Sequence, residues 1–229
     1  MGASRRNEVE EARGKCYRCY RPLSSCMCEH VKPIKTETKF VILMHPKEFQ
    51  KVKNGTGHLT YLSLPNSELY IGVDFREHQR VNAILNNGNN LCYVLYPGDD
   101  SHHLNSEKID TKGKQLVIFV IDATWSTALK LLKVSTNLQA LSKLSFTHTK
   151  SSQFQIKEQP EEYCLSTIES TLTILELLNK HAMENIEEGT LEGFLDPFKA
   201  MIKYQIACIS ESKSEHKNAV RFKKRKGEV

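Results

Sequence analysis

The densest chemistry in the chain lies between positions 16 and 28, where Cys16-Tyr-Arg-Cys19 is followed, after six residues, by Cys26-Met-Cys28. Thiolates this close repel one another unless a cation sits among them, and four sulfurs suit one tetrahedral Zn²⁺. A two-residue spacer lets both sulfurs of one turn reach the same ion, and the tight Cys-X-Cys supplies the second pair. An iron–sulfur cluster uses the same ligands, and His30 stands near as a substitute ligand. A redox pair fits less well, because no thioredoxin-like strand and helix surround the motif. The opening MGASRRNEVEEARGK is charged with no apolar stretch behind it, so neither a signal peptide nor a secreted disulfide scaffold is expected. A knuckle with almost no core of its own needs its metal in order to fold. Cys92, Cys164 and Cys208 lie in or beside apolar stretches and read as small core-filling residues.

Three other groups carry chemistry. Asp122-Ala-Thr-Trp125 follows an apolar run and contains the single Trp of the chain. A carboxylate there accepts a proton or holds an ammonium, and an indole beside it offers a flat wall to a sulfonium or a base. The plainer alternative is an Asp that caps the next helix and a Trp that plugs the core. Ser166-Thr-Ile-Glu169 matches the capping box, and the same helix start could hold a carboxylate or phosphate. His45-Pro-Lys-Glu48 and Asn54-Gly-Thr-Gly57 make a loop whose glycines let backbone N–H groups approach an anion. Neither a Walker loop nor a dinucleotide glycine motif is present, which counts against ordinary nucleotide-phosphate and NAD enzymes.

Strands alternating with helices must position these groups. The spacing predicts strands at Lys39–Met44, Leu69–Val73, Leu91–Tyr96, Leu116–Ile121 and Ser142–Thr147. It predicts helices at Glu77–Asn86, Ser126–Lys133, Ser166–Lys180 and Leu195–Ile209. That order favours an α/β fold with a mostly parallel sheet, in which ligands bind beyond the carboxyl ends of the strands. The expected plan is a knuckle over 1–35, an α/β body over 36–210 and a basic tail over 211–229. The 229 residues are 39% hydrophobic, enough for a core, and the longest apolar run, Leu116–Ile121, is far too short to span a bilayer. A cytoplasmic protein without membrane attachment is therefore expected. The net charge of +5 is mild, but the tail gathers Lys213, Lys217, Arg221, Lys223, Lys224, Arg225 and Lys226, which suits a solvated tail or a phosphate-contacting arm.

Taken together and in this order, the cysteine knuckle, His45-Pro-x-Glu48, Asn54-Gly-Thr-Gly57, Tyr96-Pro-Gly-Asp99, Asp122-Ala-Thr-Trp125 and Leu165-Ser-Thr-Ile-Glu169 resemble the DTW-domain family of tRNA-uridine aminocarboxypropyltransferases. The resemblance covers about residues 16–180; the loop departs from the Thr-Asn-Thr-Gly more usual in the family. It implies a SPOUT-like sheet with a C-terminal trefoil knot. It also implies S-adenosylmethionine (SAM) as co-substrate, and transfer of the 3-amino-3-carboxypropyl group to N3 of a tRNA uridine with release of 5′-methylthioadenosine. Rival expectations are a SPOUT-type RNA methyltransferase, a non-catalytic zinc-knuckle RNA binder and a related enzyme with the same chemistry on rRNA. On this resemblance Asp122 and Trp125 are the catalytic candidates, with Asp122 either the base for N3 or an orienting group for SAM. Pro97, Gly98, Asp99, Ile121, Thr124, Leu144, Ser145 and Phe146 are expected around SAM with them, and Ser166, Thr167 and Glu169 at its amino-acid end. His45, Lys51, Lys53, Asn54 and Thr56 are expected on the RNA, and Cys16, Cys19, Cys26 and Cys28 on Zn²⁺. The partner is tRNA, with no obligate protein partner, so a monomer is the expectation.

Overall fold

Two strands rich in Val, Ile, Leu and Phe form the middle of the sheet, β1 (Lys39–Met44) and β5 (Gln115–Asp122). Their interiors are buried apart from the half-buried Ile121, as expected of strands covered on both faces. The computed structural model describes residues 14–50, 55–148, 152, 165–187 and 189–224. Four further strands complete the sheet: β2 (Ser67–Ile71), β3 (Asn90–Leu95), β4 (His102–His103) and β6 (Ser142–Ser145). The order is β2-β1-β5-β3-β6-β4, and every pairing is parallel. The mostly parallel α/β architecture read from the sequence is therefore present.

Helices lie on both faces: α1 (Pro46–Gln50), α2 (Gly57–Ser63), α3 (Gln79–Leu85), α4 (Trp125–Val134), α5 (Thr136–Gln139), α6 (Thr167–Lys180) and α7 (Asp196–Lys224). The two-residue period of the strands divides the core. Phe40, Ile118 and Val120 pack with Leu59 of α2, Ile174 and Leu178 of α6 and Phe198 of α7. Val41, Leu43, Val117 and Phe119 pack with Val81 of α3, Leu131 of α4 and Leu138 of α5. Met27 and Ile34 of the cysteine-rich segment join the first core, and Ile34 N–H donates to the Ser63 carbonyl at 2.9 Å. No described helix is long and apolar enough to cross a membrane.

Differences from the expected elements have local reasons. The run expected at 69–73 is displaced by two residues to Ser67–Ile71: its neighbour β1 ends at Met44, whose carbonyl takes the Gly72 N–H as the last bond of the pair, and Val73 beyond it is exposed. Helix α2 has poor propensity, with Gly57, Thr60 and Ser63 in seven residues. Tertiary packing makes it, and the Thr60 and Ser63 hydroxyls donate to the carbonyls of Thr56 and Leu59 inside the core. Helix α7 starts with Asp196 and Pro197 in its first turn, where Pro lacks no needed donor, and continues to Lys224 through most of the segment expected as a tail. A knot is a property of the whole chain path, and 149–151 and 153–164, including Cys164, lie outside the described residues.

Phe119 is fully buried on the central strand. Phe119→Ala is expected to lower unfolding free energy by about 3–5 kcal/mol, measured by urea denaturation; a loss well under that range would show that the second core is not closely packed.

Candidate active site and candidate metal centre

The register of β1 against β5 sets Met44 beside Asp122, so both central strands end at the same edge. Asp122 follows the alternation that turns Ile118 and Val120 toward α2 and α6, and only 7% of its surface is exposed. The Thr167 hydroxyl, in the first turn of α6, donates to its Oδ1 at 2.6 Å. Its backbone carbonyl accepts from His45 N–H at 3.0 Å, which fixes the chain leaving β1. Gly57 opens α2 directly against this carboxylate: a Cβ there would lie 2.3 Å from Asp122 Oδ2 and 2.7 Å from Met44 Cε. Glycine is required here for space, not for a special backbone angle.

Beside Asp122, at the carboxyl ends of β3, β5 and β6, lies a cavity of about 360 Å³. It joins Pro97, Ile121, Trp125, Leu144, Ser145, Phe146 and Thr167, seven of the residues expected around one ligand. Trp125 is 49% exposed at its mouth, so it does not plug the core, and it meets Tyr96 edge-on with ring centroids 6.2 Å apart. Thr124 forms the N-cap of α4, and its hydroxyl pairs with that of Thr127 at 2.7 Å. Gly98 and Asp99 lie exposed beyond the lining, with the Gly98 carbonyl accepting from Ser101.

Ser166 and Glu169 form the expected capping box. Glu169 Oε2 accepts from Ser166 N–H at 2.9 Å and from Ser166 O–H at 2.6 Å, and Ser152 O–H reaches both carboxylate oxygens. The helix start therefore engages Glu169 itself, while Thr167 and Ser170 turn toward the cavity. Among the residues expected on RNA, His45 is half-buried, with Nδ1 accepting from Lys47 N–H, and Thr56 is buried at the N-cap of α2. Lys51, Lys53 and Asn54 lie outside the described residues.

A larger cavity of about 660 Å³ opens at the opposite edge among Glu37, Asn89, Lys108, Lys114 and Met183. It sits at the amino ends of the strands, where parallel α/β sheets do not place their ligands. Tyr96, Leu165 and Ser170 line the smaller cavity and had not been singled out as site residues. Tyr96 and Leu165 border motifs already noted, and Ser170 stands one turn beyond Ser166, a helical spacing that could have found it.

The four cysteine sulfurs lie within 4.8 Å of one another, with Cys16–Cys28 at 3.7 Å and Cys19–Cys26 at 3.8 Å. Four ligands held about 2.3 Å from one ion in a tetrahedron stand about 3.8 Å apart. The residues present thus fit a single tetrahedral ion. Two backbone bonds, Cys16 N–H to the Arg21 carbonyl and Tyr20 N–H to the Cys16 carbonyl, both 2.8 Å, close the turn, with Tyr20 in the left-handed region at φ 58°. Hydrogen bonding from the Cys19 backbone first of all lowers Cys16 to about 6, whereas burial raises Cys26 and Cys28. Four thiolates therefore need a cation. His30 pairs with Glu29 at 3.2 Å and is not one of the clustered ligands.

Around the knuckle, Tyr20, Phe49 and His58 form a ring cluster with centroids 5.0–5.6 Å apart. Burial, helped by the Arg21 and Lys15 charges, lowers His58 to about 4, so it is neutral at neutral pH. Arg21 is 2% exposed and was missed as a functional candidate.

Residues 13–206 match the family model described as the DTW domain. The chain belongs to the DTW domain family. Its relatives include proteins named tRNA-uridine aminocarboxypropyltransferase 2. The Mus musculus protein is 30% identical over 203 residues, covering 87% of this chain and 66% of its own length. That of Macaca fascicularis is 29% identical over 205 residues, with 87% and 66% covered, and that of Drosophila melanogaster 29% over 201 residues, with 85% and 76% covered. The chain thus spans slightly under two thirds of the mouse and macaque relatives. No solved structure matches it.

One divalent ion per chain is expected by native mass spectrometry. Cys28→Ser should lower metal affinity by at least about tenfold, and retention of the ion at parental affinity would remove Cys28 from the ligand set.

Proposed function

We propose that this DTW-domain chain transfers the 3-amino-3-carboxypropyl group of SAM to N3 of a uridine in tRNA. The observation that carries the reading is the cavity at the carboxyl edge, which joins Trp125, Pro97, Ile121, Leu144–Phe146 and Thr167 next to the buried Asp122 in a chain of this family. Its volume falls in the range of small-molecule sites, about 300–1,000 Å³. The transferase name of the relatives supplies the reaction class.

A sulfonium carries three activated carbons, and the one that faces the nucleophile reacts. The reading places the adenosine against Leu144, Ser145, Phe146 and Pro97, with Ile121 behind it, and gives Gly98 and Asp99 a part at the rim. Trp125 walls off the methyl, so the propyl carbon faces the uridine. Uridine N3 attacks that carbon, the carbon–sulfur bond breaks with its electrons passing to sulfur, and 5′-methylthioadenosine leaves. The N3 proton must be removed, and Asp122 is the base in this reading, oriented by the Thr167 hydroxyl. Trp125 acts by position alone. Thr124 and the first turn of α6, Ser166 and Thr167, border the amino-acid end of SAM. Glu169 shapes that turn through the capping box. His45, with Lys51, Lys53 and Asn54, is assigned to the RNA side, and Thr56, buried at the N-cap of α2, serves that side by fixing the helix start rather than by contact. The four cysteines would hold Zn²⁺, which when bound cross-links the knuckle. The trefoil knot, the plan of 1–35, 36–210 and 211–229, a cytoplasmic location and a monomeric state complete the proposal.

Incubation with unmodified tRNA and SAM, followed by nucleoside mass spectrometry, should show a gain of about 101 Da on uridine. A gain of about 14 Da would instead assign methyl transfer, and no gain with intact RNA binding would leave only a binder. Asp122→Asn should lower the transfer rate by about 10²–10⁴-fold, with SAM affinity nearly unchanged; loss of SAM binding would make Asp122 an orienting group. Trp125→Ala should weaken SAM binding by at least about tenfold, and unchanged affinity in equilibrium dialysis would take it out of the pocket.

A further inference from the structure

Arg21 is a buried cation whose hydrogen bonds go to neutral acceptors. Its Nη2 donates to the Gly55 carbonyl at 2.9 Å and to Met201 Sδ of α7 at 3.1 Å. Its Nε and Nη1 are buried and have no hydrogen-bond partner among the described residues. A guanidinium in such a place is strongly destabilising unless a counter-charge lies close. Arg21 lies at the cysteine cluster: it follows the buried Cys19 by two residues and its carbonyl accepts the Cys16 N–H at 2.8 Å, so the sulfurs, once they are thiolates, are the negative groups placed to act on it. A divalent ion ringed by four thiolates keeps a net double negative charge, so the loaded centre supplies the missing counter-charge. An anion from solvent cannot take that place, since Arg21 is 2% exposed.

The other end of the same side chain reaches the loop that precedes α2. Gly55 stands two residues before Gly57, and Gly57 touches the Asp122 carboxylate and Met44 with no space for even a methyl group. Protein interiors transmit displacement where contacts are this close. Arg21 is also felt at His58, the next residue of α2, where its charge helps to lower the imidazole.

We propose that Arg21 is a positioning residue: it takes its counter-charge from the metal–thiolate centre and holds the Gly55 carbonyl, so that the loaded knuckle fixes where Gly57 bears on Asp122. The electrostatic half stands on the knuckle alone. The consequence for the reaction rests on the transferase reading above.

Three proteins decide it: the parent, Arg21→Met, which keeps bulk without charge, and Arg21→Lys, which keeps charge without the fork. Zn²⁺ affinity is read by competition with a chromophoric chelator. Arg21→Met should bind Zn²⁺ about 10–100-fold more weakly, the usual effect of losing a group outside the ligand set. Arg21→Lys should recover to within about threefold of the parent. In the Zn²⁺-loaded state both variants should lose transfer rate by at least about tenfold while SAM affinity stays within about threefold. Hydrogen exchange at residues 55–58 should quicken in both, and should quicken in the parent when Zn²⁺ is stripped. Parental Zn²⁺ affinity in Arg21→Met would overturn the counter-charge, and unchanged exchange at 55–58 would overturn the link to α2. Should Arg21→Met not fold, Arg21→Gln, neutral but still able to donate a hydrogen bond, takes its place in the affinity measurement with the same outcomes, and Arg21→Lys and the stripped parent carry the exchange readout. Affinity and exchange need no RNA, so a failure of the transferase reading leaves this result distinct.

Discussion

Holding a carboxylate at the end of an apolar strand requires that something replace the water it gives up, and at Asp122 the Thr167 hydroxyl does so from 2.6 Å. That demand organises the neighbourhood. Helix α6 must begin where its first-turn threonine meets the end of β5, and α2 must begin with a residue that has no side chain. The two helices pack together on one face of the sheet, and their starts converge on the same acid. The site is thus an outcome of where elements end.

The sheet was legible because its central strands are uniformly apolar: Lys39–Met44 matched to the residue, and Leu116–Ile121 differed by one residue at each end. The capping box at Ser166 was legible for a similar reason, being a local pattern with a local cause. Helix α2 was not. Gly57, Thr60 and Ser63 argue against a helix, and only burial against the core decides otherwise. The cavity was readable in part: Asp122-Ala-Thr-Trp125 marked its mouth, and Ser145 and Phe146 its wall, but which of Ser166, Thr167 and Glu169 turns inward depends on bonds that sequence does not contain. Arg21 escaped notice because arginines between cysteines are usually solvent-exposed, and its burial comes from α7, 180 residues away in sequence.

Metal chemistry and sheet chemistry meet at one seam. Met27 and Ile34 enter the main core and Lys32 pairs with Asp196 at 2.7 Å, so the knuckle is fastened to the body by apolar contact, an ion pair and the Arg21 bonds together. A cysteine-rich segment too small for its own core thereby borrows one. The exposed Lys32 pair adds little on its own, and apolar burial of Met27 and Ile34 is the larger part of the attachment.

The half-exposed indole at the cavity mouth has one more implication. Because the chain contains a single tryptophan and Trp125 is that residue, its ultraviolet emission reports from one known point, beside Tyr96 and facing whatever enters. The protein carries its own optical gauge of occupancy, needing neither label nor mutation.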